Sequence, residues 1–133
     1  MNKLGFLFFM LLLISCGGGK SSKEGTVAST PLEIGEQLFK VKCQQCHMAD
    51  KDFVAPALVG VNNRWNDQQL LYDFVRNSQE VIQRNDYAAK LFETWKQSPM
   101  LPYPELTNAE IQAVFDYCNK MAADRKKEAL VVK

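Results

Sequence analysis

Cys43-Gln44-Gln45-Cys46-His47 constrains this chain more than any other stretch. Two thiols three residues apart, followed at once by an imidazole, match the attachment of haem. Each sulfur can add to one porphyrin vinyl group, and the histidine then falls under the ring to bind iron from the proximal side. Two other chemistries use some of the same residues. A redox dithiol needs only C-x-x-C, but it expects a strand ahead of the motif in a βαβ setting, and no strand alternation precedes Cys43. A zinc site would draw on Cys43, Cys46, His47 and Cys118, taking its last thiolate from an apolar helix face. His47 is the only histidine in the chain, so any imidazole ligation rests on it.

The surroundings suit one small domain. The chain has 133 residues, and 16 Lys and Arg stand against 15 Asp and Glu. That balance leaves no basic footprint for nucleic acid. A mean hydropathy of -0.23 fits a soluble globule. A domain this short buries a modest core, to which a covalent haem would add a large apolar body.

The two ends lie outside that domain. Lys3, the apolar run Leu4 to Ile14 and the small residues after it read as an export signal over residues 1–15. Eleven apolar residues would cross only about half of a ~30 Å hydrocarbon core, so a spanning anchor is the poorer reading. Leu13-Ile14-Ser15-Cys16 resembles the lipobox of bacterial lipoproteins. That resemblance implies lipidation of Cys16 as the mature N-terminus and a membrane-attached, periplasm-facing protein. Several acyl chains would anchor stably where one would not. Residues 16–29 follow as a Gly- and Ser-rich tether. Its 13 residues after Cys16 reach roughly 20 Å as a flexible coil. At the other end, residues 124–133 read as a charged tail that frays into solvent.

Between these ends, residues 30–123 carry helical signals only. Thr30-Pro31-Leu32-Glu33 combines an N-cap, Pro at N1 and Glu at N3, opening a helix that runs toward Lys42. Leu32, Gly35, Leu38 and Phe39 share one face. Asn66 and Asp67 start a second helix, with Leu70, Leu71, Phe74 and Val75 as its apolar stripe. A third begins near Asp86, with Tyr87, Ala88, Leu91, Phe92 and Trp95 on one side, and Pro99 forbids its continuation. Thr107 and Glu110 form another capping box for a last helix. Its stripe is Ile111, Val114, Phe115, Cys118, Met121 and Ala122. The expected fold is all-α, a small domain of four helices around one covalent haem. Cys118 reads as a small buried hydrophobe.

Taken together, these features resemble class I cytochromes c, over roughly Thr30 to Ala123. A first helix ends in C-x-x-C-H, and a Pro-containing loop, two middle helices, a Met-containing loop and a closing helix follow. In that family a Gly and an aromatic four residues later pack on an aromatic of the last helix. Gly35 and Phe39 match the first pair, and Tyr117, with Val114 before it, matches the partner. The resemblance implies that Pro56, in Ala55-Pro56-Ala57-Leu58-Val59-Gly60, accepts the Nδ1 proton of the proximal histidine. His47 would then bind iron through Nε2. It also implies Met100, in Ser98-Pro99-Met100-Leu101-Pro102, as the sixth ligand, although Leu101 stands where the family has Pro. Met48 adjoins His47 and cannot reach the opposite face, and Met121 lies on a core stripe. Arg64 is a candidate partner for a haem propionate, with Tyr72 and Trp65 as further donors. Trp65 and Trp95 otherwise fill the core.

Six-coordinate iron has no open position, so the expected function is a monohaem c electron carrier and not an enzyme. Electrons would leave at a haem edge ringed by Ala57, Leu58, Leu101 and Pro102. The implied partners are transient redox proteins such as a quinol-oxidising complex, a terminal oxidase or a periplasmic reductase, met by a monomer through a small contact. A haem enzyme or ligand sensor, with Met100 off the iron, is the alternative.

Overall fold

A computed structural model describes residues 29–96 and 98–131; the export signal expected over residues 1–15, the lipidation expected at Cys16 and most of the tether lie outside these. Among the described residues there are five α-helices and no strand. They are α1 (Pro31–Leu38), α2 (Gln68–Arg76), α3 (Ser78–Arg84), α4 (Asp86–Thr94) and α5 (Asn108–Val131). A π-helical turn over Phe39–Cys43 prolongs α1, and a 3₁₀ turn spans Val61–Arg64. No described helix is long and apolar enough to cross a membrane.

Both capping boxes form. The Thr30 N–H donates to Glu33 Oε2 at 2.7 Å while Glu33 N–H returns to Thr30 Oγ1 at 3.3 Å. Thr107 and Glu110 repeat the exchange at 2.8 and 3.2 Å. Asp67 caps α2 through Gln69 and Leu70, and Asn85 caps α4 through Ala88. These side chains satisfy amide groups that a helix start leaves without partners.

Three differences from the sequence-based expectation matter. First, there are five helices and not four. Asn77 caps the additional α3, its side chain accepting from Glu80 N–H. Seven residues make fewer than two turns, too few for a periodic stripe to show, yet Val81 and Ser78 are buried. Second, the last helix does not fray at Asp124 but continues to Val131. Ala, Lys, Glu and Leu dominate that segment and are good helix formers. Lys120 pairs with Asp124 within the helix, and Arg125 pairs with Asp50 on the loop after the haem motif. Third, the first helix reaches Cys43 only by widening. The Gln44 N–H donates to Phe39 O at 2.9 Å, the five-residue spacing of a π turn.

The packing centres on the contact of α1 with α5. A Cβ placed on Gly35 would lie 2.0 Å from the Ala113 carbonyl oxygen. Only a glycine lets the two backbones approach this closely. One turn on, Phe39 packs on Tyr117 with ring centroids 5.7 Å apart. Phe39, Ile111, Val114, Phe115 and Cys118 form the buried heart of the interface, continuous with Leu71, Val81 and Trp65 from the middle of the chain. The crossing fixes where α1 ends, and with it the Cys43–His47 segment.

Replacing Gly35 by Ala must therefore push α1 off α5. Overpacking outweighs the ~1 kcal/mol that Ala contributes to helix propensity, for a net loss of about 2 kcal/mol in denaturant unfolding. Gln37→Ala, on the exposed face of the same helix, should change stability by less than ~0.5 kcal/mol. Equal stabilities for the two variants would contradict the close crossing.

Candidate haem-binding site

The attachment motif folds into a tight turn at the end of the π segment. The amides of Cys46 and His47 both donate to Cys43 O, at 3.2 and 2.9 Å. Cys43 is half-buried and Cys46 exposed, and the two are not joined in a disulfide. Burial pushes the Cys43 thiol up to about 11, so this sulfur is held protonated at neutral pH.

The His47 ring has a fixed orientation. Its Nδ1 lies 2.7 Å from the Pro56 carbonyl oxygen, which can only accept, so Nδ1 carries the proton. Nε2 is left with the ring's lone pair. Burial holds the imidazole below its ordinary value. The Pro56 bond opposes that shift, and the Arg64 guanidinium adds to it. The neutral form, which is the one that binds metals, therefore prevails at neutral pH.

Met100 reaches the same place from the other side of the sequence. Two adjoining cavities of about 110 and 130 Å³ both count Cys43, His47, Pro56, Phe74, Leu91 and Met100 among their walls. Leu58, Val61, Ile111 and Phe115 complete the first, and Ile82, Phe92 and Trp95 the second. The crevice is apolar apart from a few placed groups, as a site for a large hydrophobic cofactor should be. With two free thiols, one imidazole of fixed tautomer and one thioether on its walls, it fits a covalent haem.

The loop carrying Met100 is pinned at several points. The buried Ser78 hydroxyl donates to Met100 O at 3.1 Å. The Tyr103 hydroxyl donates to Lys42 O at 2.7 Å, and the Tyr103 amide donates to Arg76 O at 3.1 Å. Arg76 Nε donates to Leu106 O at 2.8 Å, and Lys42 pairs with Glu105 at 2.7 Å. The loop is thus tied both to the end of α2 and to the residue preceding Cys43. Neither Ser78 nor Tyr103 stood out in the sequence, because each acts on a backbone carbonyl far along the chain.

The remaining candidates fall as follows. Arg64 lines the first cavity and donates to the Ala57 carbonyl. Trp65 is buried against Phe74 and Tyr87, each at a centroid distance of 5.1 Å. Tyr72 gives its hydroxyl to Gln112 at 2.9 Å and is not free to donate elsewhere. Ala57 and Leu58, expected on an exposed rim, are buried instead, because the amides at Leu58 and Val59 bond back to Met48 and Ala49. The exposed apolar groups beside the crevice are Val54 and Leu101, the latter 67% exposed. Cys118 is fully buried, its thiol pushed up to about 12 by burial. Among the described residues no group of three or more His, Cys, Asp or Glu side chains could hold a metal, so the zinc alternative lacks its ligand set. Among the described residues no strand precedes Cys43, so the dithiol alternative lacks its setting there.

Known proteins match both the sequence and the fold. The family described as cytochrome c matches residues 32–122. A 30-residue stretch is 63% identical to cytochrome c2 of Rhodopseudomonas palustris, covering 23% of this chain and 25% of that protein. The chain thus spans about a quarter of the length of that relative. A cytochrome c from Rhodothermus marinus superposes with a TM-score of 0.57 at 26% identity, over 81% of this chain and 91% of its own. An engineered cytochrome c from Rhodothermus marinus, bound to a carbene intermediate, gives 0.55 at 24% identity, over 82% and 88%, and is similar in fold. With the matched residues running from the first turn of α1 well into α5, and the attachment motif seated on an apolar crevice, this chain belongs to the cytochrome c family, whose members transfer electrons on a covalently bound haem.

Proposed function

We propose that the protein is a one-electron carrier holding a single haem c, tethered by thioethers at Cys43 and Cys46 and ligated by His47 and Met100. The observation that carries this reading is the meeting of His47 and Met100 on the walls of both cavities, with the His47 ring held by Pro56. When bound, the haem supplies reversible one-electron chemistry at its iron.

The chain's own residues do the rest. Pro56 keeps the His47 proton on Nδ1 and leaves Nε2 to face the metal. Ser78 and Tyr103 hold the Met100 loop in place, so that Met100 would offer the iron a thioether, a soft and uncharged ligand. The apolar walls of the crevice would keep water away from the bound group. With His47 and Met100 both holding the iron, no ligand position would be left for a substrate, which suits an electron carrier rather than a catalyst of bond chemistry. Arg64, on the cavity wall, offers its remaining guanidinium donors to a haem propionate. Val54 and Leu101 give a small apolar contact for a transient redox partner, such as a quinol-oxidising complex, a terminal oxidase or a periplasmic reductase. Near-neutral net charge gives such encounters little long-range steering.

The protein is further proposed to face the periplasm as a lipoprotein. The support is the lipobox-like sequence ending in Cys16 and the tether that follows it.

Two predictions follow the two parts of this proposal. The oxidised protein should show the Met–iron charge-transfer band, and the reduced protein should bind carbon monoxide slowly and weakly. Met100→Ala should abolish the band and admit the gas at once. Rapid, tight carbon monoxide binding by the unaltered protein at neutral pH would favour a ligand sensor or haem enzyme instead. Cys16→Ser should move the exported protein from the membrane fraction to the soluble one; persistence at the membrane would contradict lipid anchoring.

A further inference from the structure

The bond that orients His47 is the middle of a longer chain of contacts. The Pro56 carbonyl, which accepts from His47 Nδ1 at 2.7 Å, shares a peptide unit with the Ala57 N–H. That N–H donates to Asp52 Oδ1 at 2.8 Å. On the far side of Ala57, its carbonyl accepts from the Arg64 guanidinium. A carboxylate thus sits at one end of a single conjugated amide whose other end touches the proximal imidazole.

We propose that Asp52 is a positioning residue for the proximal ligand, acting through the Pro56–Ala57 peptide to strengthen the acceptor of the His47 Nδ1 proton and so lower the reduction potential of the iron. The inference rests on the His47 ligation proposed above. An anion accepting from an amide N–H draws its proton outward and leaves more electron density on the amide nitrogen. Amide resonance carries that density to the carbonyl oxygen, and hydrogen bonds in series polarise one another. A more negative Pro56 oxygen takes a greater share of the His47 proton. The imidazole becomes a stronger donor through Nε2, which favours the ferric state. The bond to Ala57 is charge-assisted, which makes it stronger than a neutral one. Arg64, bonding the next carbonyl along, holds the same stretch of backbone from the other side without touching the Pro56 oxygen.

Charge alone could lower the potential through space, so the test must read the bond itself. Asp52→Ala removes the acceptor, and Asp52→Asn keeps a side-chain carbonyl there but removes the charge. Asp50→Asn removes a neighbouring charge that pairs with Arg125 and does not touch this peptide. Two readouts serve, the reduction potential and the His47 Nδ1 proton resonance of the reduced, diamagnetic holoprotein, with its solvent exchange rate. The expected result is a potential shifted positive in both Asp52 variants, more in Ala than in Asn. The Nδ1 resonance should move upfield and exchange faster in the same order, and stay in place in Asp50→Asn. An unmoved Nδ1 resonance in Asp52→Asn, or an equal displacement in Asp50→Asn, would overturn the proposal, whatever the potentials. Failure of the underlying ligation is separable: the unaltered protein would then lack a ferrous spectrum with His and Met as axial ligands. If Asp52→Ala does not mature, Asp52→Asn, of nearly the same size and shape, decides the question.

Discussion

The rest of the structure depends on the approach of α1 to α5 at Gly35. Two helix backbones touching without an intervening side chain fix the angle and height of α1 to within the tolerance of van der Waals contact. Phe39 and Tyr117 lock the next turn. The placement of the attachment segment follows from this: the end of α1 is held, the π turn opens, and the motif is presented to the crevice. The two thiols and the imidazole belong to one local segment, so placing α1 places all three.

The opposite wall is built differently. Met100 sits in a loop without helical hydrogen bonds, and its position comes from side chains that reach in to hold backbone groups. Ser78 holds Met100 itself, Tyr103 reaches back to Lys42, and Arg76 secures Leu106. One of those anchors, Ser78, lies on α3. This gives the short helix a role beyond the core packing of Val81. The wall that carries Cys43, Cys46 and His47, made by helix packing, thus faces a Met100 wall made by discrete hydrogen bonds, each worth on the order of 1 kcal/mol. Loosening is expected first in the Met100 loop, where fewer contacts would have to break.

Legibility in the sequence followed the same division. Thr30 with Glu33 and Thr107 with Glu110 announced both outer helices, because a capping box is a local exchange between residues three apart. The glycine and aromatic pairing of Gly35 and Phe39 with α5 was legible through the resemblance to class I cytochromes c, and so was the contact of His47 with Pro56. The additional middle helix, α3, was not, since Ser78–Arg84 is too short for periodicity to speak. Nor was the continuation of α5 past Asp124, where a mixed-charge run looked like a solvated tail but is held by good helix formers and by Arg125 against Asp50. Ala57 and Leu58 were misplaced on the rim because loop apolar residues carry no signal of which way they turn. Asp52, Ser78 and Tyr103 were invisible for one shared reason. Each bonds a main-chain group, and main-chain groups are identical at every position of a sequence.

A carrier of this kind requires iron porphyrin bonded to the chain itself. The most direct measurement is the mass of the unfolded protein after maturation with the haem-attachment machinery and extraction with acidified acetone. A covalent c-type haem predicts that the full mass of the haem stays on the polypeptide and the precipitate stays coloured. A colourless protein, or pigment that leaves with the solvent, would contradict it.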